Sequence, residues 1–307
     1  KGAESRFEAT YADHLTPVVG RDSEIALQLD RWQRAKDGEG QVILLSGEPG
    51  IGKSRLIHML REKLAEETYI PIRYQCSTHH ANSAFYPVID QLERAAGFTR
   101  EEDNDSKLDK LEALLGQSTT NVKEIARLFA TLLSLSADRY PVTDATPQQL
   151  KEQTIGALND QLLGLSSQNP VMFLIEDVQW CDPTTLELIS DAITRIIDAR
   201  VLLVITYRPE FEPTWTGHAH VSIQTLNRLS RREGTEVVEK VPGGKSLPKE
   251  VLDLIVAKTD GIPLYVEELT KNVLEADFLK DAGAVSYTHL RAHETLRYLV
   301  CRLLREK

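Results

Sequence analysis

Gln41-Val-Ile-Leu-Leu-Ser46 runs directly into Gly47-Glu48-Pro49-Gly50-Ile51-Gly52-Lys53-Ser54. A short apolar, β-branched run bounded by glycine predicts a buried strand over Gln41–Ser46. Past the glycines, Leu56, Ile57, Leu60 and Leu64 recur at helical spacing, so a helix is expected from Lys53 onward. Strand, G-x-x-x-x-G-K-[ST] loop and helix in that order make a phosphate-binding loop. Glycine backbones allow close approach of a polyphosphate, and loop amides with a helix N-terminus favour negative charge. The Lys53 ammonium suits the outer phosphates and the Ser54 hydroxyl suits magnesium. Gly47, Glu48, Pro49, Gly50, Ile51, Gly52, Lys53, Ser54 and Arg55 are therefore candidate ligands of ATP or ADP with Mg2+. A plain glycine-rich turn is the competing reading, and it needs neither the strand nor the helix.

Working outward, apolar or β-rich runs recur at Tyr69–Cys76, Val171–Ile175, Val201–Thr206 and, more briefly, Val221–Thr225, separated by helical patterns. That alternation predicts an α/β fold of the P-loop NTPase type, a parallel sheet covered by helices and followed by a mostly helical lid. The folded part is expected to begin near Thr16, with residues 1–15 a linker from an upstream domain. An α/β domain is expected over 16–215, carrying a helical insertion at 99–168. A helical or winged-helix-like lid is expected over 216–284, with helices at Lys249–Lys258 and Pro263–Leu274.

Residues 285–307 resemble one reading frame of a sequencing-library adapter, so the natural chain is expected to continue past Ala284. An amphipathic helix striped by Leu290, Leu296, Leu299 and Leu303 is the alternative. Lys1 stands where an initiator Met would, which points to an internal fragment.

A 41% hydrophobic and 27% charged composition is that of a folded domain with a sizeable core. The net charge is −10; the last 23 residues hold five of the 36 basic and two of the 46 acidic side chains, so the remainder carries −13. An acidic chain without a basic, aromatic-interleaved stretch is a poor general nucleic-acid binder, so no nucleic-acid partner is expected. No run of 18 apolar residues and no secretory signal is present, so no membrane partner and a cytoplasmic location are expected. Cys76 and Cys181 are too few and too far apart in sequence for a disulfide framework or a zinc site. His79-His80 reads better as a polar loop after a strand than as a metal site.

Pro170-Val-Met-Phe-Leu-Ile-Glu176-Asp177 ends a buried strand on two acids. Adjacent carboxylates at a core strand's end repel and lose hydration. A metal and an ordered water relieve that conflict; a merely solvated strand end is the alternative. Glu176 is assigned to magnesium, directly or through water, and Asp177 to the attacking water, with the reverse order left open. Asp182-Pro183 reads as a helix N-cap followed by Pro at the first turn, in preference to a catalytic acid. The Val201–Thr206 strand leads to two candidates for sensing the γ-phosphate, Thr206 or Arg208; the positive charge of Arg208 would stabilise charge building there, with a salt bridge from Arg208 to Asp177 or Glu210 as the competitor.

Together, Val19-Gly20-Arg21-Asp-Ser-Glu24, the 47–54 loop, Phe173–Asp182, Thr206-Tyr-Arg208 and Gly261-Ile-Pro263 resemble signal-transduction ATPases with numerous domains, a branch of the AAA+ superclass with the Orc1-like type of ATPase domain. The resemblance covers residues 16 to about 280. Ser5-Arg-Phe-Glu-Ala9 and Arg73-Tyr-Gln-Cys-Ser77 are similar to the ATPase module of bacterial regulators that join a class III adenylate/guanylate cyclase to tetratricopeptide repeats. The resemblance implies that Gly20 and Arg21 lie against the adenine or ribose and that Pro263 contacts the base. It further implies ATP/ADP exchange that switches lid and partner domains, a cyclase domain upstream, tetratricopeptide repeats downstream, and a possible nucleotide-dependent oligomer. Glu176 departs from the Asp usual in such proteins. A regulatory ATPase with slow hydrolysis is the leading expectation, an ADP-holding scaffold the second, and a small-molecule kinase the third.

Overall fold

The computed structural model describes residues 16–119, 121–136, 138–140, 144–241 and 247–275. The expected linker and the adapter-like tail lie outside these residues, as does Ser5–Ala9. In chain order the elements are α1 (Asp22–Lys36), β1 (Gln41–Ser46), α2 (Lys53–Lys63), β2 (Ile70–Gln75), α3 (Tyr86–Ala96), α4 (Asn104–Leu115), α5 (Val122–Leu132) and α6 (Pro147–Gln168). They continue with β3 (Val171–Glu176), α7 (Pro183–Arg195), β4 (Val201–Tyr207), β5 (Val221–Thr225), α8 (Arg231–Lys240), α9 (Lys249–Thr259) and α10 (Pro263–Glu275). Chain contacts divide them into two compact units, one of residues 27–46 and 64–224, the other of 16–26, 47–63 and the described residues from 225 on.

The first unit is built on a five-stranded sheet ordered β2-β3-β4-β1-β5. β1 pairs with β4, β4 with β3 and β3 with β2, all parallel. Every residue of β1 and β4 is buried, as are the first five of β3. Strands apolar on both faces are what a parallel sheet covered on both sides requires, and each fully buried aliphatic side chain contributes about 2 kcal/mol of transfer free energy. On one face Val42, Phe173, Ile175, Leu203 and Ile205 pack with residues of α3 to α7. The expected strands are all present; β3 runs one residue further, to Glu176, and β4 to Tyr207.

Local chemistry sets the helix starts. Thr146 and Gln149 form a reciprocal capping box at α6, and Asp182 caps α7, its Oδ1 accepting from Thr185 N at 2.9 Å. Asp182 is 2% exposed and its other oxygen accepts from Thr185 Oγ1 at 2.6 Å, so its hydrogen-bonding capacity is spent on the helix, as its place before Pro183 predicts.

In the second unit, Val19, Leu229, Val237, Val238, Ile255, Val256, Val266, Leu269 and Val273 form one core among α8, α9 and α10. Described residues after Thr225 contain helices and no strand. No described helix is long and apolar enough to cross a membrane.

Candidate nucleotide site

β1 ends at Ser46 and the glycine loop begins at the next residue. Two of its glycines have left-handed φ, +77° at Gly50 and +104° at Gly52, a region costly for any residue with a Cβ. At Gly47 the constraint is space, since a Cβ would stand 2.6 Å from Ile51 Cγ2. At Gly52 nothing lies within 4 Å of where a Cβ would be. The loop is thus shaped by glycine on the inside and open at Gly52. α2 starts at once, with no acid in its own first turn to offset the positive end of the helix. Lys53 Nζ donates to the loop's own carbonyls, Gly47 O at 2.5 Å and Glu48 O at 3.2 Å. Ser54 is exposed, Ile51 is buried and anchors the loop, and burial lowers the pKa of the Arg55 guanidinium. This donor set fits a polyphosphate: an open glycine cradle, an acid-free helix start, a lysine and an accessible hydroxyl.

Within the same unit the loop is tied to the start of α10. Leu264 N donates to Gly50 O at 3.2 Å, so Pro263, the first residue of that helix, stands beside a residue bonded to the loop. Arg228 forms two hydrogen bonds to the Glu48 carboxylate, a contact that the sequence offers no local sign of. Gly20 and Arg21 are engaged elsewhere in this unit. A Cβ on Gly20, φ +67°, would stand 2.1 Å from Glu233 Oε1. Arg21 is buried, donating to Glu24 Oε1 at 2.9 Å and to Asn227 O at 2.6 Å.

In the sheet unit, β3 ends on the two acids. Arg73, on neighbouring β2, donates from Nε to Glu176 Oε2 at 3.0 Å and pairs with the same oxygen through Nη2. Asp177 turns the chain in the left-handed region, φ +56°, and its N–H donates to Thr206 Oγ1 at 2.9 Å. Its Oδ1 accepts from Gln179 Nε2 at 3.1 Å, and Gln179 Oε1 accepts from Arg208 N at 3.2 Å. One glutamine therefore ties the end of β3 to the residue after β4. The expected competitor for Arg208 is not found: among the described residues it forms no ion pair, and its guanidinium lies 5.8 Å from the centre of the Trp180 ring, within cation–π range.

His80 stacks on Tyr86 at 3.5 Å, and no cluster of three metal-ligating side chains occurs among the described residues. Cys76 and Cys181 are free thiols; their mutual hydrogen bond and burial push the Cys76 thiol well above its usual range.

Residues 17–205 match the family described as AAA ATPase domain. An uncharacterized protein of Rhizobium meliloti (strain 1021) is 25% identical over 285 residues, 91% of this chain and 28% of the relative. The chain thus spans less than a third of that relative's length. Among solved structures, the Aeropyrum pernix Orc1 protein in complex with DNA superposes with a TM-score of 0.57 at 15% identity, covering 97% of this chain and 69% of that one. Cdc6p from Pyrobaculum aerophilum follows with a TM-score of 0.52 at 11% identity, covering 88% of this chain and 65% of that one. These two likenesses show the fold, a P-loop NTPase of the AAA+ kind with a helical C-terminal part.

Proposed function

The chain belongs to the AAA ATPase domain family, and from that premise we propose that it is the ATP-binding regulatory module of a larger, multidomain signal-transduction ATPase. The observation that carries the proposal is the glycine loop itself, open at Gly52 and followed by an acid-free helix start bearing Lys53 and Ser54. In this reading Gly47–Arg55 hold the phosphates, Lys53 exchanging its loop carbonyls for phosphate oxygens. Magnesium, when bound, neutralises phosphate charge and draws electrons toward the leaving group. Ser54 serves as its protein ligand, and Glu176 serves it directly or through a water. The Arg73 partner of Glu176 favours the water-mediated form. Asp177 orients the attacking water, and Gln179 holds that carboxylate in place. Arg208 stabilises charge developing on the γ-phosphate. Gly20 and Arg21 support the adenine or ribose and Pro263 the base, a role in which Arg21 acts through its fixed position rather than as a free donor.

Function as a switch follows from differential affinity: nucleotide that binds one arrangement of loop and helices more tightly shifts the population toward it. Slow hydrolysis then resets the switch. The partners in the full protein are a nucleotide cyclase domain upstream and tetratricopeptide repeats downstream, with assembly dependent on nucleotide and the whole acting in the cytoplasm. A span of only 28% of the curated relative supports a larger natural protein. The second reading, an ADP-holding scaffold without turnover, shares every binding residue and differs at Asp177. Single-turnover hydrolysis of ATP by the full chain and by Asp177→Asn separates them. A switch hydrolyses slowly and stalls in the variant with binding intact. Tight binding without turnover in either protein favours the scaffold.

A further inference from the structure

Arg228 joins two acids that belong to different parts of its unit. Its Nε donates to Glu48 Oε1 at 3.0 Å and its Nη2 to Glu48 Oε2 at 2.8 Å, the fork-on-carboxylate geometry that fixes both partners. Its Nη1 pairs with Asp260 Oδ2. Glu48 is the second residue of the phosphate loop, where an unpaired carboxylate would repel a polyphosphate. Asp260 closes α9 with φ +50°, followed by Gly261 at +71°, and Pro263 opens α10.

The backbone around Arg228 is fixed as well. Leu229 N donates to Gly261 O at 2.8 Å, and a Cβ on Gly261 would stand 2.4 Å from Leu229 O. Leu264 N returns to Gly50 O at 3.2 Å. A closed ring results, from Glu48 through Arg228 to Asp260, along the turn to Leu264, and back to the loop at Gly50. The planar fork of the guanidinium grips Glu48 with two nitrogens and still offers Nη1 to Asp260; a lysine ammonium could bridge the two carboxylates but could not reproduce the bidentate grip. The pairing holds the Glu48 carboxyl below its usual range and raises the pKa of Arg228 further.

We propose that Arg228 is a positioning residue for nucleotide binding, which neutralises Glu48 and fastens the phosphate loop to the Asp260–Pro263 turn, so that occupancy of the loop is passed to α10. The ligand rests on the ATP-binding reading above; the ring of contacts stands without it.

Two measurements on the full chain test this. In the absence of nucleotide, amide exchange of residues 261–266 is compared between the parent, Arg228→Gln and Arg228→Lys. Faster exchange in Arg228→Gln, partly restored in Arg228→Lys at an unchanged melting temperature, is expected. Should Arg228→Gln fail to fold, Asp260→Asn replaces it and opens the same ring from the other side. In the second measurement, ATP affinity is expected to fall about three- to tenfold in Arg228→Gln and to recover when Glu48→Gln is added, because the unpaired charge is then gone. The loss should shrink in about 0.5 M salt, where exposed charges are screened. Unchanged exchange overturns the proposal, as does a double variant that binds no better than Arg228→Gln alone. If the parent itself fails to bind ATP, the function proposed above falls, and the exchange comparison alone decides the role of Arg228.

Discussion

Arg73 on β2 reaches the carboxylate that ends β3, its Nε donating to Glu176 Oε2 at 3.0 Å, and both side chains are only 12% exposed. One guanidinium nitrogen of Arg73 is left buried without a partner, so the pair holds the arginine in place as much as the acid. Removing one member of such a pair costs more than removing both. Arg73→Met is expected to lower unfolding free energy by about 2 kcal/mol, and Glu176→Gln added to it to recover part of the loss. Urea denaturation of the four proteins in the cycle checks this; strictly additive losses would show the pair to be uncoupled.

Gly52 and Gly261 share a left-handed φ and differ in surroundings. Alanine at Gly261 meets Leu229 O at 2.4 Å, so about 3 kcal/mol of destabilisation is expected from strain and clash together. Alanine at Gly52 meets nothing within 4 Å and should cost only the backbone strain of a positive φ, about 1–2 kcal/mol in stability. Its effect falls on ATP affinity instead, because the methyl occupies the open side of the loop. Melting temperature and ATP titration of the two variants should rank them in opposite orders.

Asp182 lies near the candidate catalytic acids in sequence, yet both its oxygens are committed to Thr185. Asp182→Ala is expected to cost about 1–2 kcal/mol as a lost helix cap. Its single-turnover rate per folded molecule should stay that of the parent. A large fall in that rate with stability unchanged would make Asp182 a participant in the chemistry.

Burial raises the pKa of the Glu267 carboxyl on α10, opposed chiefly by the positive charges of Arg55 and Lys271 and by a hydrogen bond with Thr16, while neighbouring Glu268 adds to the rise. A proton then binds more tightly in the folded chain than in the unfolded one. The linked stability is complete below the unfolded value near 4.5 and is lost as pH rises through the folded value. Glu267→Gln removes this dependence, so its stability relative to the parent should rise as pH is raised from about 4 to 7. Chemical denaturation of both proteins across that range reads the difference directly.

The parts of the fold legible in sequence are those in which one stretch of chain contains its own explanation. Gln41–Ser54 holds strand, loop and helix start; Asp182-Pro183 holds a cap and the first turn it caps. Relations that only topology creates were not legible. β4 lies between β1 and β3 although it follows both in the chain. Arg73 is 103 residues from Glu176, and Arg228 is 180 from Glu48; no periodicity or spacing pairs them. Arg208 shows the same limit at short range. Its charge suggested an acidic partner, whereas the turn after Asp177 presents Trp180 to it. α3 lacks a side-chain cap, since its N-cap, Phe85, has φ +58° and no side-chain bond, and only Pro87 in the first turn marks its start.

The central claim is that the glycine loop binds ATP through Lys53, and calorimetric titration of the full chain with ATP and magnesium, beside Lys53→Ala, tests it most directly. The account predicts saturable one-to-one binding by the parent and a loss of about a hundredfold or more in the variant, with both proteins equally folded. No binding by the parent, or equal binding by the two, would contradict it.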